Sequence, residues 1–304
     1  MTAGNNTAQR ALAAVNSATR LVFGPVRVKA YRWVKSQIDL KRLAAADVAF
    51  VSYAKAGRTW TRVMMSRLYQ VKYGLPPDAV IERDNLHKMN LAIPVFLFTM
   101  GNYVAERYAI GTTPSPYDSK KLIFLARHPA DTAVSFHFHL NNRIPAHLRD
   151  IKKLPEATQG RDVFAHLNDP HVGLDHVIAY MNQWIGALEK HPRHILLRYE
   201  DLRSDPLPQL QRIAAFLGES FTDAQYAEAV EFASFEKLKE KEASDFFNNS
   251  RLQARDADNP DSFKVRRGKS GGFRDYLTPE QISWVESQTA AKLDKRFGYD
   301  ELAV

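Results

Sequence analysis

Residues 48–73 read VAFVSYAKAGRTWTRVMMSRLYQVKY, a short apolar run, a loop holding one glycine, and then a helical stripe. This order constrains the fold more than any other feature of the chain. VAFVSYA (48–54) is a short apolar run that reads as a strand, while the apolar residues at 60, 63, 64, 68 and 71 recur at helical spacing. Short apolar runs return three times, two of them with a helical stripe behind. VFLFT (95–99) and KLIFLA (121–126) predict two more strands, and the second runs into a helix with Pro129 in its first turn. HILLRYE (194–200) predicts a fourth strand, followed by a helix with Pro206 near its start and Gly218 as its stop. Strands that are apolar throughout and alternate with helices predict an α/β fold, a P-loop-type parallel sheet flanked by helices on both faces. Such sheets bind ligands beyond the carboxyl ends of their strands, and the unusual residues of this chain fall there.

At 304 residues and 45% apolar composition the chain can bury a full-sized core. The expected organisation is a basic helical segment over 1–42 followed by one domain over 43–304. No run approaches 18 apolar residues, so no membrane-spanning helix is expected, and the N-terminus lacks the apolar core of a secretory signal. The absence of cysteine excludes disulfides, thiolate catalysis and cysteine-ligated metals, and fits a cytoplasmic protein. The net charge of +8 is uneven, because residues 1–42 carry eight Lys and Arg against the single acid Asp39. That segment, interleaved with Leu21, Val22, Phe23, Val26, Tyr31 and Trp33, suits an anionic membrane surface. It equally suits a solvated helix packed along the domain. Peripheral contact at the inner membrane face is therefore one expectation, and nucleic acid is not expected as a partner.

The loop SYAKAGRTW (52–60) concentrates groups that hold anions. Gly57 lets backbone approach a phosphate, the following helix offers its N-terminal dipole, Lys55 and Arg58 add charge, and Thr59 adds a hydroxyl donor. Trp60 offers a face for a purine. A plain strand–helix junction is the alternative. A kinase loop needs G-x-x-x-x-G-K-[ST] to place a hydroxyl on magnesium, and that spacing is absent. Glu200 and Asp201 are the sole acids at a strand end placed to hold a metal, and none is expected. Arg127 ends the KLIFLA strand, where its forked guanidinium can meet a second phosphate, with Ser135 two helical turns on. Near the C-terminus, KVRRGKSGGF (264–273) reads as a basic loop able to fold over a polyanion.

At this point the chain resembles the sulfotransferases. YAKAGRTW is similar to that family's 5′-phosphosulfate loop, Y-P-K-[ST]-G-[TR]-T-W, and LIFLARHPADTAVSFHFH to its 3′-phosphate motif. LLRYEDLRSDPLPQLQRIAAFLG resembles its tyrosine-bearing strand and helix, ASFEKLKEK its adenine-side segment, and RRGKSGGFRDYLTPEQ its C-terminal loop, all in the family's order from about 48 to 297. The resemblance implies transfer of a sulfuryl group from 3′-phosphoadenosine 5′-phosphosulfate (PAPS) to an acceptor hydroxyl or amine of a small molecule or lipid, without a metal. It implies that Lys55, Gly57, Arg58, Thr59 and Trp60 hold the 5′ side and adenine. Arg127, Ser135, Arg266, Arg267 and Gly268 would hold the 3′-phosphate, and Tyr199, Ser234 and Phe235 would line the adenine.

Three positions depart from the family. Ala54 and Ala56 replace the loop's proline and hydroxyl residue. Met100 stands where the family's strand ends in the histidine that deprotonates the acceptor, and a thioether accepts no proton. His87, in RDNLHKMN, resembles the D-x-H of some bacterial members and is the first expectation for the base, ahead of Glu106, His137 and His139. A non-catalytic nucleotide-binding relative and a P-loop kinase are the alternatives.

Overall fold

The computed structural model describes residues 24–145, 148–154, 161–249, 252–253, 256 and 259–299. Residues 1–23, over half of the basic N-terminal segment, lie outside the described residues. Four parallel strands form the sheet: β1 (Val48–Ser52), β2 (Phe96–Thr99), β3 (Lys121–Ala126) and β4 (His194–Arg198), in the order β2-β1-β3-β4. Val51 pairs with Thr99 on one side and with Phe124 on the other, and Ala126 pairs with Arg198. All four strands expected from the apolar runs are present.

Strands buried on both faces cannot alternate apolar with polar residues, and the packing shows this directly. Ala49, Val51, Leu122 and Phe124 face a core that contains Ala130, Ala133, Trp184 and Leu188. Val48, Phe50, Ile123 and Leu125 face a second core with Val63, Met64, Leu68, Ile213 and Leu217. Trp184, on the helix Leu174–Glu189, is 1% exposed and lies edge-on to Tyr117, with ring centroids 5.5 Å apart. The helix Pro206–Leu217 ends on Gly218 in the left-handed conformation, as its Pro and Gly foretell.

The first helix, α1 (Gly24–Ala45), runs three residues past the predicted edge of the basic segment and turns Arg32, Ser36, Asp39 and Leu43 inward. Its charge is largely committed inside the molecule. Arg32 pairs with Glu106, Lys35 and Arg42 both pair with Asp39, and Arg27 lies 4.0 Å from Asp150. Val26 and Trp33 remain on its exposed face. Among the described residues no helix is long and apolar enough to cross a membrane.

The chain leaves central β1 to one side for β2 and returns to the other side for β3. Loops that diverge in this way open a crevice at the strand ends. The helix α2 (Arg58–Tyr73) follows β1 and α4 (Pro129–Arg143) follows β3, so two helix N-termini border the same crevice. Between them in sequence lies the short α3 (Asn85–Met89).

Candidate active site

The β1–α2 loop turns sharply because two of its residues take positive φ, Lys55 at 72° and Gly57 at 102°. At Gly57 the backbone also meets a ring: a Cβ there would lie 2.5 Å from Cδ2 of Tyr199. Tyr199 opens the short helix after β4 and is 5% exposed. Trp60 meets it edge-on, with centroids 5.8 Å apart, and the Arg127 guanidinium lies 4.3 Å from its ring centre. Trp60 is anchored by an Nε1 hydrogen bond to the Ala233 carbonyl at 2.8 Å, which sets the indole beside Ser234 and Phe235. Phe235 in turn packs on Gly268, where a Cβ would come within 2.6 Å. One flat-sided aromatic pocket is thus built from three distant parts of the chain.

Arg127 ties that pocket to the basic loops. Its guanidinium donates to the carbonyls of Lys55 at 3.1 Å and Lys269 at 3.0 Å. Asp131, 3.7 Å from Arg127, accepts the amides of Gly271 and Phe273 and so seats the C-terminal loop on α4. Arg266 stacks 3.9 Å from the centre of Phe138 and donates to the Tyr276 hydroxyl, while the more exposed Arg267 pairs with Asp275. Glu242, 2% exposed, accepts the amides of Lys264 and Val265 and pairs with Arg143 at 3.4 Å. The loop over the cleft is therefore fastened at both ends by carboxylates.

These elements enclose a cavity of about 510 Å³. Lys55, Gly57, Arg58, Thr59 and Trp60 line it, as do Arg127, Ser135 and Tyr199, then Ser234, Phe235, Arg266, Arg267 and Gly268. All thirteen residues expected on the donor side are thus brought together. The Lys55 ammonium donates to the Lys264 carbonyl at 3.1 Å. Burial, and then the charges of Arg143, Arg127 and Arg266, bring its pKa down to about 7 despite the opposing pull of Glu242. Lys264 is pushed well below the ordinary lysine range by burial and by Arg62, Lys55, Arg143 and Arg58. Such crowding of cations in one cleft is costly until an anion enters it.

His87 is not in this cleft, which corrects the expectation that it is the base. It lines a separate depression with Asp47, Val48, Lys120 and Lys121, at the amino ends of β1 and β3. Its Nδ1 lies 2.7 Å from the Ile93 carbonyl. The segment before β2 does resemble the D-x-H pattern, but its His87 lies at the end of the sheet opposite the strand ends that carry Lys55 and Arg127. Met100 follows β2, packs against the core and accepts the Tyr180 hydroxyl through its carbonyl. Glu106 is paired with Arg32 and Lys153 on the flank of α1, and buried His137 faces His166. His139 does line the cleft. Two residues that sequence reasoning passed over line it as well, Arg62 and Glu82. Arg62 was detectable, one helical turn after Arg58 on the same face of α2.

A cation-lined crevice with an aromatic pocket, at the topological switch of a parallel sheet, defines an α/β protein built to hold a nucleotide-sized polyanion. The chain belongs to the sulfotransferase family, enzymes of sulfuryl transfer, whose domain model matches residues 45–297. It is 31% identical over 267 residues to cytosolic sulfotransferase 16 of Arabidopsis thaliana, covering 81% of this chain and 75% of that one. To cytosolic sulfotransferase 17 of the same plant it is 28% identical over 263 residues, covering 79% and 72%. Among solved structures, mouse sulfotransferase SULT7A1 complexed with PAP shares the fold, with a TM-score of 0.55 at 21% identity over 87% of this chain and 93% of that one. Retinol dehydratase with androsterone and PAP gives a TM-score of 0.54 at 21% identity over 81% and 80%.

Proposed function

We propose that this enzyme transfers the sulfuryl group of PAPS to a hydroxyl or amine of a small or lipid-like acceptor, with the adenine held by Trp60, Tyr199 and Phe235. The observation that carries the reading is the single cleft in which an aromatic pocket adjoins Lys55, Arg58, Arg127 and Arg266. In this reading Arg127, Ser135 and the 266–268 loop take the 3′-phosphate, and Thr59 with the start of α2 takes the 5′-phosphate. Lys55 neutralises the oxygen that leaves sulfur as charge builds on it. A sulfuryl group carries less charge than a phosphoryl group, so side-chain cations suffice and magnesium has no assigned role. The androsterone and retinol held by solved retinol dehydratase complexes favour an apolar, lipid-like acceptor class.

Adenosine 3′,5′-bisphosphate (PAP) is expected to raise the melting temperature in the presence of a chelator. At about 100-fold over Kd the stabilisation amounts to about 2.7 kcal/mol. No shift at millimolar PAP, or magnesium-dependent stabilisation by ATP in its place, sinks the reading.

Proton uptake gives an independent check. The Lys55 pKa of about 7 in the free protein lies below the ordinary 10.5, so as pH rises past 7 the side chain goes over to the neutral amine before the ligand arrives. A bound anion favours the charged form and returns the pKa toward 10.5, which draws one proton onto the protein. PAP affinity is therefore expected to fall as pH rises above about 7, and calorimetry in buffers of differing ionisation enthalpy should report proton uptake near pH 8. Net proton release would contradict the assignment of Lys55 to the anion.

A further inference from the structure

On the sulfuryl-transfer reading, the geometry points to Glu82 as the general base that takes the proton of the acceptor. An incoming hydroxyl must lose its proton as its oxygen bonds to sulfur, and the group that receives it has to share the cleft with Lys55. Met100, His87, Glu106 and His137 are removed by their places in the fold. Among the described carboxylates that line the cleft, Asp131 is taken by the amides of Gly271 and Phe273. Glu231 and Glu236 flank Ser234 and Phe235 at the adenine end, and both are exposed. His139 lines the cleft too, but its burial, and then the charges of Lys55, Lys264 and Arg143, oppose an arriving proton.

Glu82 lines the cleft, as do Arg62 and Phe98, whose guanidinium and ring centre lie 5.6 Å apart. The chain there runs along the edge strand, where the Phe96 amide donates to the Arg83 carbonyl at 3.1 Å and the Ile81 amide to Ser66 Oγ at 2.9 Å. The Glu82 amide is held by Asn85 Oδ1 at 2.8 Å. One carboxylate oxygen, Oε1, accepts from Asn249 Nδ2 at 2.7 Å, and Oε2 accepts no hydrogen bond from the described residues. A carboxylate anchored through one oxygen keeps its position while the other oxygen stays available to take a proton. The acceptor oxygen bonds to sulfur, the bond from sulfur to the 5′-phosphate oxygen breaks, and its electron pair leaves with PAP. The acceptor proton passes to Glu82, which later returns it to solvent.

Glu82→Gln keeps an amide oxygen for Asn249 and removes only the basicity. Radiolabelled PAPS is supplied with water alone, 2-naphthol, a long-chain alcohol and an alkylamine, and labelled sulfate and sulfated products are counted. The variant is expected to lose about 10²–10³-fold in kcat with PAP affinity and melting temperature unchanged, and Glu82→Asp to recover part of the rate. Retention of kcat by Glu82→Gln, or its loss in His139→Gln instead, overturns the assignment. So does a wild-type protein that binds PAP yet turns over PAPS with none of these acceptors. Failure of the wild type to bind PAP is a separate result, which removes the sulfotransferase reading and this base together.

Discussion

Lys55→Ala is expected to slow sulfuryl transfer from PAPS by about 10²–10³-fold, with the loss falling on kcat more than on PAP affinity. The asymmetry follows from where charge appears. On the proposed reading the bound donor satisfies Arg127, Arg266 and the helix N-terminus before reaction, whereas the bridging oxygen gains its charge only as the bond to sulfur breaks. The substitution brings no new backbone strain, because lysine and alanine both carry a Cβ and pay alike for a φ of 72°. It also removes a cation whose charge lowers the pKa of Lys264 and of His139, so the ligand-free protein should be as stable as the wild type or more so. A variant that keeps its rate within about three-fold while binding PAP normally would show that another group meets the leaving oxygen.

Gly57→Ala should be the most damaging single-methyl change in the cleft. At a φ of 102° any side chain is strained, and the new Cβ would lie 2.5 Å from a Tyr199 ring that Arg127 and Trp60 already hold in place. Backbone strain of this kind costs about 1–3 kcal/mol, and the clash adds to it. The loop must either move off Tyr199 or push that ring into the adenine pocket, so PAP affinity should fall by more than about ten-fold along with the melting temperature. Gly186→Ala is the control. It lies within the helix Leu174–Glu189, a Cβ there meets nothing within 4 Å, and the change should be neutral or stabilising by up to about 1 kcal/mol. Equal thermal and binding behaviour of the two variants would show that the contact with Tyr199 is not what requires glycine.

The difference between the two kinds of position explains what could be read beforehand. Lys55, Arg58 and Trp60 lie within six residues of one another at a strand end, so their convergence is settled by local chain geometry. Arg127 follows directly on β3 and Ser135 lies in the second turn of α4, so one strand–helix turn carries both. The basic character of 264–269 marks it as a polyanion loop, but only the resemblance assigns it, and 234–235, to this cleft. In the structure they arrive there because Trp60 bonds to Ala233, Asp131 seats Gly271 and Phe273, and Glu242 holds Lys264 and Val265. None of those contacts leaves a local mark in the sequence.

The segment between α2 and β2 shows the limit most sharply. Glu82 and His87 are five residues apart, in a stretch with no strong periodicity. Yet Glu82 lines the cleft, while His87 lies with the amino ends of the strands. Local pattern fixes which residues a strand or helix turns inward, because that depends on a period of 2 or 3.6 residues. The parallel sheet, the donor loop and the lack of a histidine after β2 were therefore determined by the sequence itself. Which end of the sheet a connecting segment visits depends on long-range contacts such as Ile81 to Ser66 and Asn249 to Glu82. Only the tertiary structure decided that, and with it that Glu82 rather than His87 lines the cleft.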